Sequence, residues 1–362
     1  MHIDFVITGL ELGGAETQVV ALLEKLSTRG HQLQLISLKE PSSSILIKRL
    51  STANVPLVSL NMNSWRDTPL AMLKLRKIWR KSPPQIVHSH MIHADVFTRL
   101  MRLFIPSLNI IGTAHNTYEG GKMCDLAYRL TNPLSQINTT ISEAATLRFT
   151  HENVFSKKNT LTISNGVDMN KFHAPHLIEP YTKPFHWLAV GRLVEQKDFP
   201  TLIAAFSQLS ESLLFIAGEG PLLDTLQRQV KSLGLEARVV FLGTRDDIEV
   251  LYHQVDGFVL SSQFEGYGLV IAEAMASELP VVVTDSGGPR EIVGSDGLTG
   301  LLVPIKDTDA LSQRMLAIEA LSPEERKYMG RRARHRINDT FSLDKIVEIW
   351  ETLYEKQLRE RN

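Results

Sequence analysis

Ser262-Gln263-Phe264-Glu265-Gly266-Tyr267-Gly268-Leu269-Val270-Ile271-Ala272-Glu273-Ala274 follows a short apolar run, Gly257–Leu260, that reads as a buried strand. The glycines at 266 and 268 end the strand pattern, and a helix opens behind them. Strand, glycine loop and helix in that order form the repeating unit of an α/β sheet. Gly266 and Gly268 let the chain turn and let backbone N–H groups come close to a ligand. The N-terminus of the following helix presents free N–H groups and a positive dipole end, which suits a phosphate. Glu265 sits in the loop and Glu273 about one turn into the helix, with seven residues between them. A carboxylate at 273 can accept two hydrogen bonds from a diol such as ribose, while Glu265 lies nearer a reacting centre.

The same alternation runs outward in both directions. Toward the N-terminus the strand patterns are Ile3–Thr8, Leu33–Leu38, Pro56–Leu60, Gln85–His88, Asn109–Thr113, Ile137–Ile141 and Thr160–Ser164. Amphipathic segments such as Ala15–Thr28, Pro69–Arg80 and Ala94–Phe104 lie between most of them. The pattern breaks at His173–Lys183, which holds two prolines and no periodicity. It resumes with Trp187–Val190, Leu213–Ala217, Val239–Leu242, Gly257–Leu260, Val281–Thr284 and Leu301–Val303. Helical patterns then close the chain at Leu311–Ala320, Pro323–Asn338 and Leu343–Arg359. The expectation is an α/β protein with two doubly wound, Rossmann-like domains facing across a cleft, at the carboxyl ends of whose strands ligands bind. The first domain is expected over residues 1–172, a linker over 173–184, and the second domain over 185–340. The last helix, 341–362, is expected to cross back to the first domain.

A length of 362 residues agrees with two domains, and 43% apolar with 22% charged residues is an ordinary globular composition. The net charge of -1 argues against a general nucleic-acid binder. That near-neutral sum hides an asymmetry: residues 1–183 carry 20 basic and 13 acidic side chains, and residues 184–362 carry 19 and 27. Cys124 is the single cysteine, so no intramolecular disulfide forms, which suits a reducing cytoplasm. No apolar run approaches the roughly 20 residues of a membrane span. Met1-His2-Ile3-Asp4 lacks a basic stretch and enters a strand pattern directly, so no secretory leader is expected. Lys74, Arg76, Lys77, Arg80 and Lys81, interleaved with Met72, Leu73, Leu75, Ile78 and Trp79, form a basic amphipathic segment suited to an anionic membrane surface. Arg99, Met101, Arg102, Leu103 and Phe104 continue that character in the sequence.

Several further segments add to the pattern. Arg192 and Lys197 follow the strand Trp187–Val190 in Val190-Gly191-Arg192-Leu193-Val194-Glu195-Gln196-Lys197-Asp198-Phe199. Gly13-Gly14-Ala15-Glu16 follows the first strand, Asn165-Gly166-Val167-Asp168 precedes the break, and Gly218-Glu219-Gly220-Pro221 and Gly287-Gly288-Pro289-Arg290-Glu291-Ile292-Val293 follow later strands. His115 ends the strand Asn109–Thr113. His88, His90 and His93 mimic metal-ligand spacing, but no cysteine or carboxylate completes a site. Asp307-Thr308-Asp309 is a literal D-x-D, read as the acidic first turn of a helix.

Taken together, these segments resemble the retaining GT-B glycosyltransferases of family 4, and the resemblance covers nearly the whole chain. It implies transfer of a hexose or N-acetylhexosamine from a nucleoside-diphosphate sugar, most simply a UDP-sugar, to a lipid-linked or saccharide acceptor in bacterial envelope polysaccharide synthesis. It assigns catalysis to Glu265, His115, Lys197 and Arg192, and donor binding to Gly13, Gly14, Arg192, Lys197, Gly268, Leu269, Val270 and Glu273. No metal and no further cofactor are implied. The route implied is front-side displacement, in which the leaving phosphate helps to deprotonate the acceptor. The partners expected are the nucleotide-sugar donor, the lipid-linked oligosaccharide acceptor and an anionic membrane surface, with no nucleic acid. The place expected is the cytoplasm, on the inner face of the cytoplasmic membrane. Two other readings share parts of the pattern: a UDP-sugar epimerase, and a non-catalytic nucleotide-sugar-binding subunit of a membrane complex. The Gly13-Gly14 loop and the Glu265/Glu273 spacing argue against the first. The joint presence of Glu265, His115, Arg192 and Lys197 argues against the second. Hydride transfer is disfavoured because no G-x-G-x-x-G follows the first strand.

Overall fold

The computed structural model of the chain describes residues 1–174 and 184–360. The chain divides into two compact units, one formed by Met1–Gly166 with the C-terminal helix from Leu343, the other running from Val167 to Ser342. Most of the segment expected to be a linker, residues 175–183, lies outside the described residues. Packing divides the chain earlier than the proline-rich stretch suggests. Val167 donates its N–H to the Phe341 carbonyl at 2.8 Å, and Arg334 donates to the Phe172 carbonyl at 2.8 Å. Residues just past Gly166 are therefore held by the second unit, although composition changes only at the prolines.

The first unit is built on β1 (His2–Ile7), β2 (Gln32–Ser37), β3 (Leu57–Ser59), β4 (Ile86–His90), β5 (Ile110–Ala114), β6 (Ile137–Thr140) and β7 (Thr160–Thr162). These strands form a parallel sheet in the order β3-β2-β1-β4-β5-β6-β7. Ile3, Phe5, Ile7, Leu35, Ile86 and Ile111 are fully buried, as parallel strands covered on both faces require. On one face the helix Leu343–Arg359 lays the stripe Leu343, Ile346, Val347, Trp350, Leu353 and Tyr354 into this core. Helix Gly14–Thr28 covers the same face with Val19, Val20, Leu22, Leu23 and Leu26. A polar thread fastens the last helix to the sheet. The Tyr354 hydroxyl is 2.8 Å from His88 Nδ1, and His88 Nε2 is 2.8 Å from the Thr113 hydroxyl, which meets that of Thr139 at 2.6 Å.

The second unit holds β8 (His186–Val190), β9 (Leu213–Ala217), β10 (Val239–Gly243), β11 (Gly257–Leu260), β12 (Val281–Thr284) and β13 (Leu301–Val303). They form a parallel sheet in the order β10-β9-β8-β11-β12-β13. Its core gathers Trp187, Leu202, Phe206, Ile216, Val259 and Met315. Each sheet reverses its winding once, between β1 and β4 in the first unit and between β8 and β11 in the second. At such a switch point the loops leave the carboxyl ends of neighbouring strands in opposite directions and open a crevice.

Candidate active site

The switch point of the second sheet receives the loops after β8 and β11, which carry Arg192, Lys197 and Glu265. The loop after β8 winds into a short turn, Glu195–Lys197, and Asp198 adopts a left-handed conformation (φ 49°) before the next helix. Gln263 N–H donates to the Gln196 carbonyl at 2.8 Å, and the Gln196 side chain donates to the Phe264 carbonyl at 2.9 Å. The Ser261 hydroxyl donates to the Lys197 carbonyl at 2.9 Å. These bonds zip the two loops together and bring the Lys197 ammonium onto Glu265 Oε1 as an ion pair.

Glu265 is 8% exposed, so its charge depends on partners. Oε1 accepts from Lys197 and, at 2.7 Å, from the Ser262 hydroxyl. Its backbone is held as firmly. Glu265 N–H donates to the Ser286 carbonyl at 3.0 Å, and Gly288 N–H donates to the Glu265 carbonyl at 3.2 Å. This bridge to the loop after β12 explains the paired glycines at 287–288. A Cβ on Gly288 would stand 2.6 Å from Tyr267 Cα and 2.7 Å from the Gly266 carbonyl. A side chain there would push the loop after β12 off the one that carries Glu265.

Gly268, at φ 97°, is the left-handed residue that turns this loop into helix Leu269–Ala276. The free N–H groups of the first turn, Leu269 and Val270 among them, follow it directly. Glu273 lies one turn on and is half-buried. Burial pushes its carboxyl up to about 7, while nearby Lys171 and a hydrogen bond from Tyr252 pull it down. The Tyr252 hydroxyl reaches both the Val270 carbonyl, at 3.0 Å, and Glu273 Oε2, at 3.4 Å. Arg192 is exposed on the loop after β8. Lys197, Glu265, Gly268, Leu269, Val270 and Glu273 thus lie on one strand–loop–helix unit and the loop zipped to it.

Gly13, Gly14 and His115 belong to the first unit. Gly13 caps helix Gly14–Thr28 at the end of the β1 loop, and a Cβ on Gly14 would meet nothing within 4 Å. His115 follows β5 and is half-buried. Its N–H donates to Glu119 Oε1 at 2.5 Å, while Glu119 Oε2 accepts from the Tyr128 hydroxyl at 2.7 Å. Burial pushes the Glu119 carboxyl up to about 7 and the His115 imidazole down to about 4. The sequence reading missed Glu119. Its only local signal is position, four residues beyond His115 and just before Gly120 and Gly121, both at positive φ.

Other expectations are corrected or placed. β4 runs two residues past the limit read from the sequence, so His90 as well as His88 lies inside the strand, and both are buried. Among the described residues no group of three or more histidine, cysteine or acidic side chains could hold a metal ion. Asp307 caps helix Thr308–Ala320 by accepting the Ala310 N–H at 2.9 Å, and Asp309 accepts from Gln208 at 3.0 Å. Arg99 does not extend the basic surface. It is fully buried, paired with Asp95 at 2.9 Å and bonded to Asn138 at 2.7 Å, and Met101 is buried beside it. Helix Thr68–Lys81 does expose Leu70, Leu73, Lys74, Lys77, Arg80 and Lys81 while burying Ala71, Leu75 and Trp79. Among the described residues no helix is long and apolar enough to cross a membrane.

Residues 175–336 match the model of the glycosyl transferases group 1, and residues 12–171 match that of glycosyltransferase family 4. The N-acetyl-alpha-D-glucosaminyl L-malate synthase of Bacillus anthracis is 28% identical over 96% of this chain and 95% of its own length. The UDP-Gal:alpha-D-GlcNAc-diphosphoundecaprenol alpha-1,3-galactosyltransferase of Escherichia coli is 24% identical over 95% of this chain and 94% of its own length. The solved structure of HepE from Anabaena, in complex with UDP, has a TM-score of 0.83 at 21% identity, covering 98% of this chain and 100% of that one. The two doubly wound parallel sheets and this likeness bear out the GT-B fold class expected from the sequence.

Proposed function

The chain belongs to the family 4, group 1 glycosyltransferases, and from that premise we propose that it moves a hexose or N-acetylhexosamine from a UDP-sugar, with retention, to a lipid-linked or saccharide acceptor in bacterial envelope polysaccharide synthesis. The observation that carries the reading is the Lys197–Glu265 pair, held at the switch point beside the N-terminus of helix Leu269–Ala276. A cation and a helix N-terminus suit a diphosphate. A carboxylate beside them suits the positive charge that grows on an anomeric carbon as its bond to phosphate breaks. The names of the relatives fit. One acts with UDP-Gal on a diphosphoundecaprenol-linked sugar, and one solved neighbour holds UDP.

In this reading Glu273 accepts hydrogen bonds from the ribose hydroxyls. Arg192, Lys197 and the N–H groups of Gly268, Leu269 and Val270 hold the diphosphate. Glu265 faces the donor sugar. The bond from the anomeric carbon to the phosphate oxygen breaks with its electron pair on the phosphate. The acceptor oxygen bonds to the same face of that carbon, and its proton passes to the departing phosphate. No metal takes part. On the first unit, Gly13 and Gly14 serve the donor's diphosphate, and His115 hydrogen-bonds a sugar hydroxyl or orients the acceptor. The exposed leucines and cations of helix Thr68–Lys81 suit the anionic surface on which a lipid-linked acceptor is found. Turnover of UDP-sugars by Glu265→Ala and Lys197→Ala tests the assignment: both should lose activity, and full activity in both would overturn it.

A further inference from the structure

Two consecutive serines follow β11, and the proposed chemistry leaves both unused. The Ser261 hydroxyl donates to the Lys197 carbonyl at 2.9 Å. The Ser262 hydroxyl donates to Glu265 Oε1 at 2.7 Å. One strand end therefore holds both members of the Lys197–Glu265 pair. Ser262 is fully buried, and its carbonyl accepts at 2.6 Å from the hydroxyl of Thr284, the last residue of β12. The direction of the Ser262 bond follows from its partner: a carboxylate in an ion pair only accepts, so the hydroxyl is the donor.

Both donors meet the same oxygen. Lys197 and Ser262 bond Glu265 Oε1. Oε2 bonds no protein group among the described residues, and it belongs to the small part of the side chain that solvent still reaches. The carboxylate is thus gripped through one oxygen and open at the other.

The two donors differ in what else they can do. Lys197 carries a point charge on a flexible stem. That stem lies across Gly191, where a Cβ would stand 3.3 Å from Lys197 Cε. A diphosphate arriving beside the ammonium competes with Glu265 for it. The Ser262 hydroxyl is neutral, short and sealed from solvent, so a diphosphate has no hold on it. Its bond to Oε1 is the one that persists when Lys197 turns to phosphate.

We propose that Ser262 is a positioning residue that keeps Glu265 Oε1 anchored while Lys197 serves the departing diphosphate, so that Oε2 stays turned toward the donor sugar. The anchoring stands on the geometry of the second unit alone. Its use in turnover rests on the transferase reading.

A double-mutant cycle of Ser262→Ala and Glu265→Gln tests this, read by initial rates on a UDP-sugar, titration with UDP and urea melts. Ser262→Ala should lower kcat about tenfold to a hundredfold, the equivalent of one hydrogen bond to a charged group, while UDP affinity changes by no more than about threefold. In the Glu265→Gln background the same change should lower turnover by at most about twofold, because no charged carboxylate is left to aim. Undiminished kcat in folded Ser262→Ala would overturn the proposal. An equal fractional loss in both backgrounds would overturn it too, since a serine that only supports the fold behaves in that way. Ser262→Cys, close in volume and a weak donor, takes the place of Ser262→Ala with the same expectations if the alanine variant does not fold. If the wild-type chain turns over no UDP-sugar, the transferase reading fails, while the urea midpoints of the four proteins still decide the anchoring: non-additive changes support it and additive ones overturn it.

Discussion

Glu265→Gln removes a charge and keeps a shape. Oε1 of Glu265 accepts hydrogen bonds from Lys197 and Ser262, and an amide oxygen in the same place can accept both. What disappears is the charge assistance. A hydrogen bond to a charged group contributes about 1.5–3 kcal/mol and a neutral one about 0.5–1.5. Two bonds weakened by about 1 kcal/mol each destabilise the unit by about 2 kcal/mol. For a unit of roughly 150–250 residues that lowers Tm by about 4–8 °C. The effect on UDP should run the other way. In the wild-type chain Lys197 is shared between its carboxylate partner and any bound diphosphate, and the carboxylate repels that diphosphate. The glutamine variant should bind UDP about fivefold to tenfold more tightly. Turnover should nonetheless fall by about 10²–10³-fold, as when one charge-stabilising group is lost from a transition state. Differential scanning fluorimetry, isothermal titration with UDP and initial rates on one UDP-sugar give the three numbers. Weaker UDP binding with undiminished turnover would refute the reasoning, because Glu265 would then serve the ground state and not the developing charge.

Three further outcomes are expected. Burial raises Glu119 from an ordinary 4.5 to about 7, so between those values the folded state keeps a proton the unfolded state has lost, and stability falls as pH rises through the window by up to about 3 kcal/mol. Glu119→Gln should flatten that limb in urea melts compared at pH 5 and 7.5, and an unchanged difference between the two pH values would contradict the assignment. Gly218 sits at φ 141°, and a Cβ there would meet the Gly191 carbonyl oxygen at 2.0 Å. Gly218→Ala should therefore destabilise the second unit by about 2 kcal/mol or more, visible as a lower urea midpoint, whereas a neutral result would show that the two loops are free to part. Leu70→Glu combined with Leu73→Glu, at 74% and 62% exposed positions, should reduce sedimentation with phosphatidylserine vesicles while leaving Tm unchanged; equal sedimentation would show that this helix is not a membrane contact.

The strands were legible because buried parallel strands are short apolar runs bounded by turn residues. Leu213–Ala217, Gly257–Leu260, Val281–Thr284 and Leu301–Val303 keep the limits read from sequence. The last helix kept its limits too, and its apolar stripe is the face buried against the first sheet. The Glu265-to-Glu273 segment was legible because it is local: one strand end, one glycine turn, one helix. What escaped the sequence depends on partners distant along the chain. Nothing around Arg99 says that Asp95 and Asn138 will enclose it, so a buried ion pair passed for part of a basic surface. The β4 pattern seemed to end at His88 because histidine, serine and histidine are polar, yet two more residues continue the ladder beside β5. Glu119 lies in a loop with no periodicity. Its importance comes from the burial and bonds that folding creates around it.

Titration of the intact chain with UDP, repeated on Lys197→Met and on Glu273→Ala, tests the central claim most directly. The account predicts saturable binding to the wild-type chain that weakens about tenfold or more in each variant, through the diphosphate in one and the ribose in the other. Unchanged affinity in both folded variants would show that the loop after β11 and the helix behind it are not where the nucleotide is held.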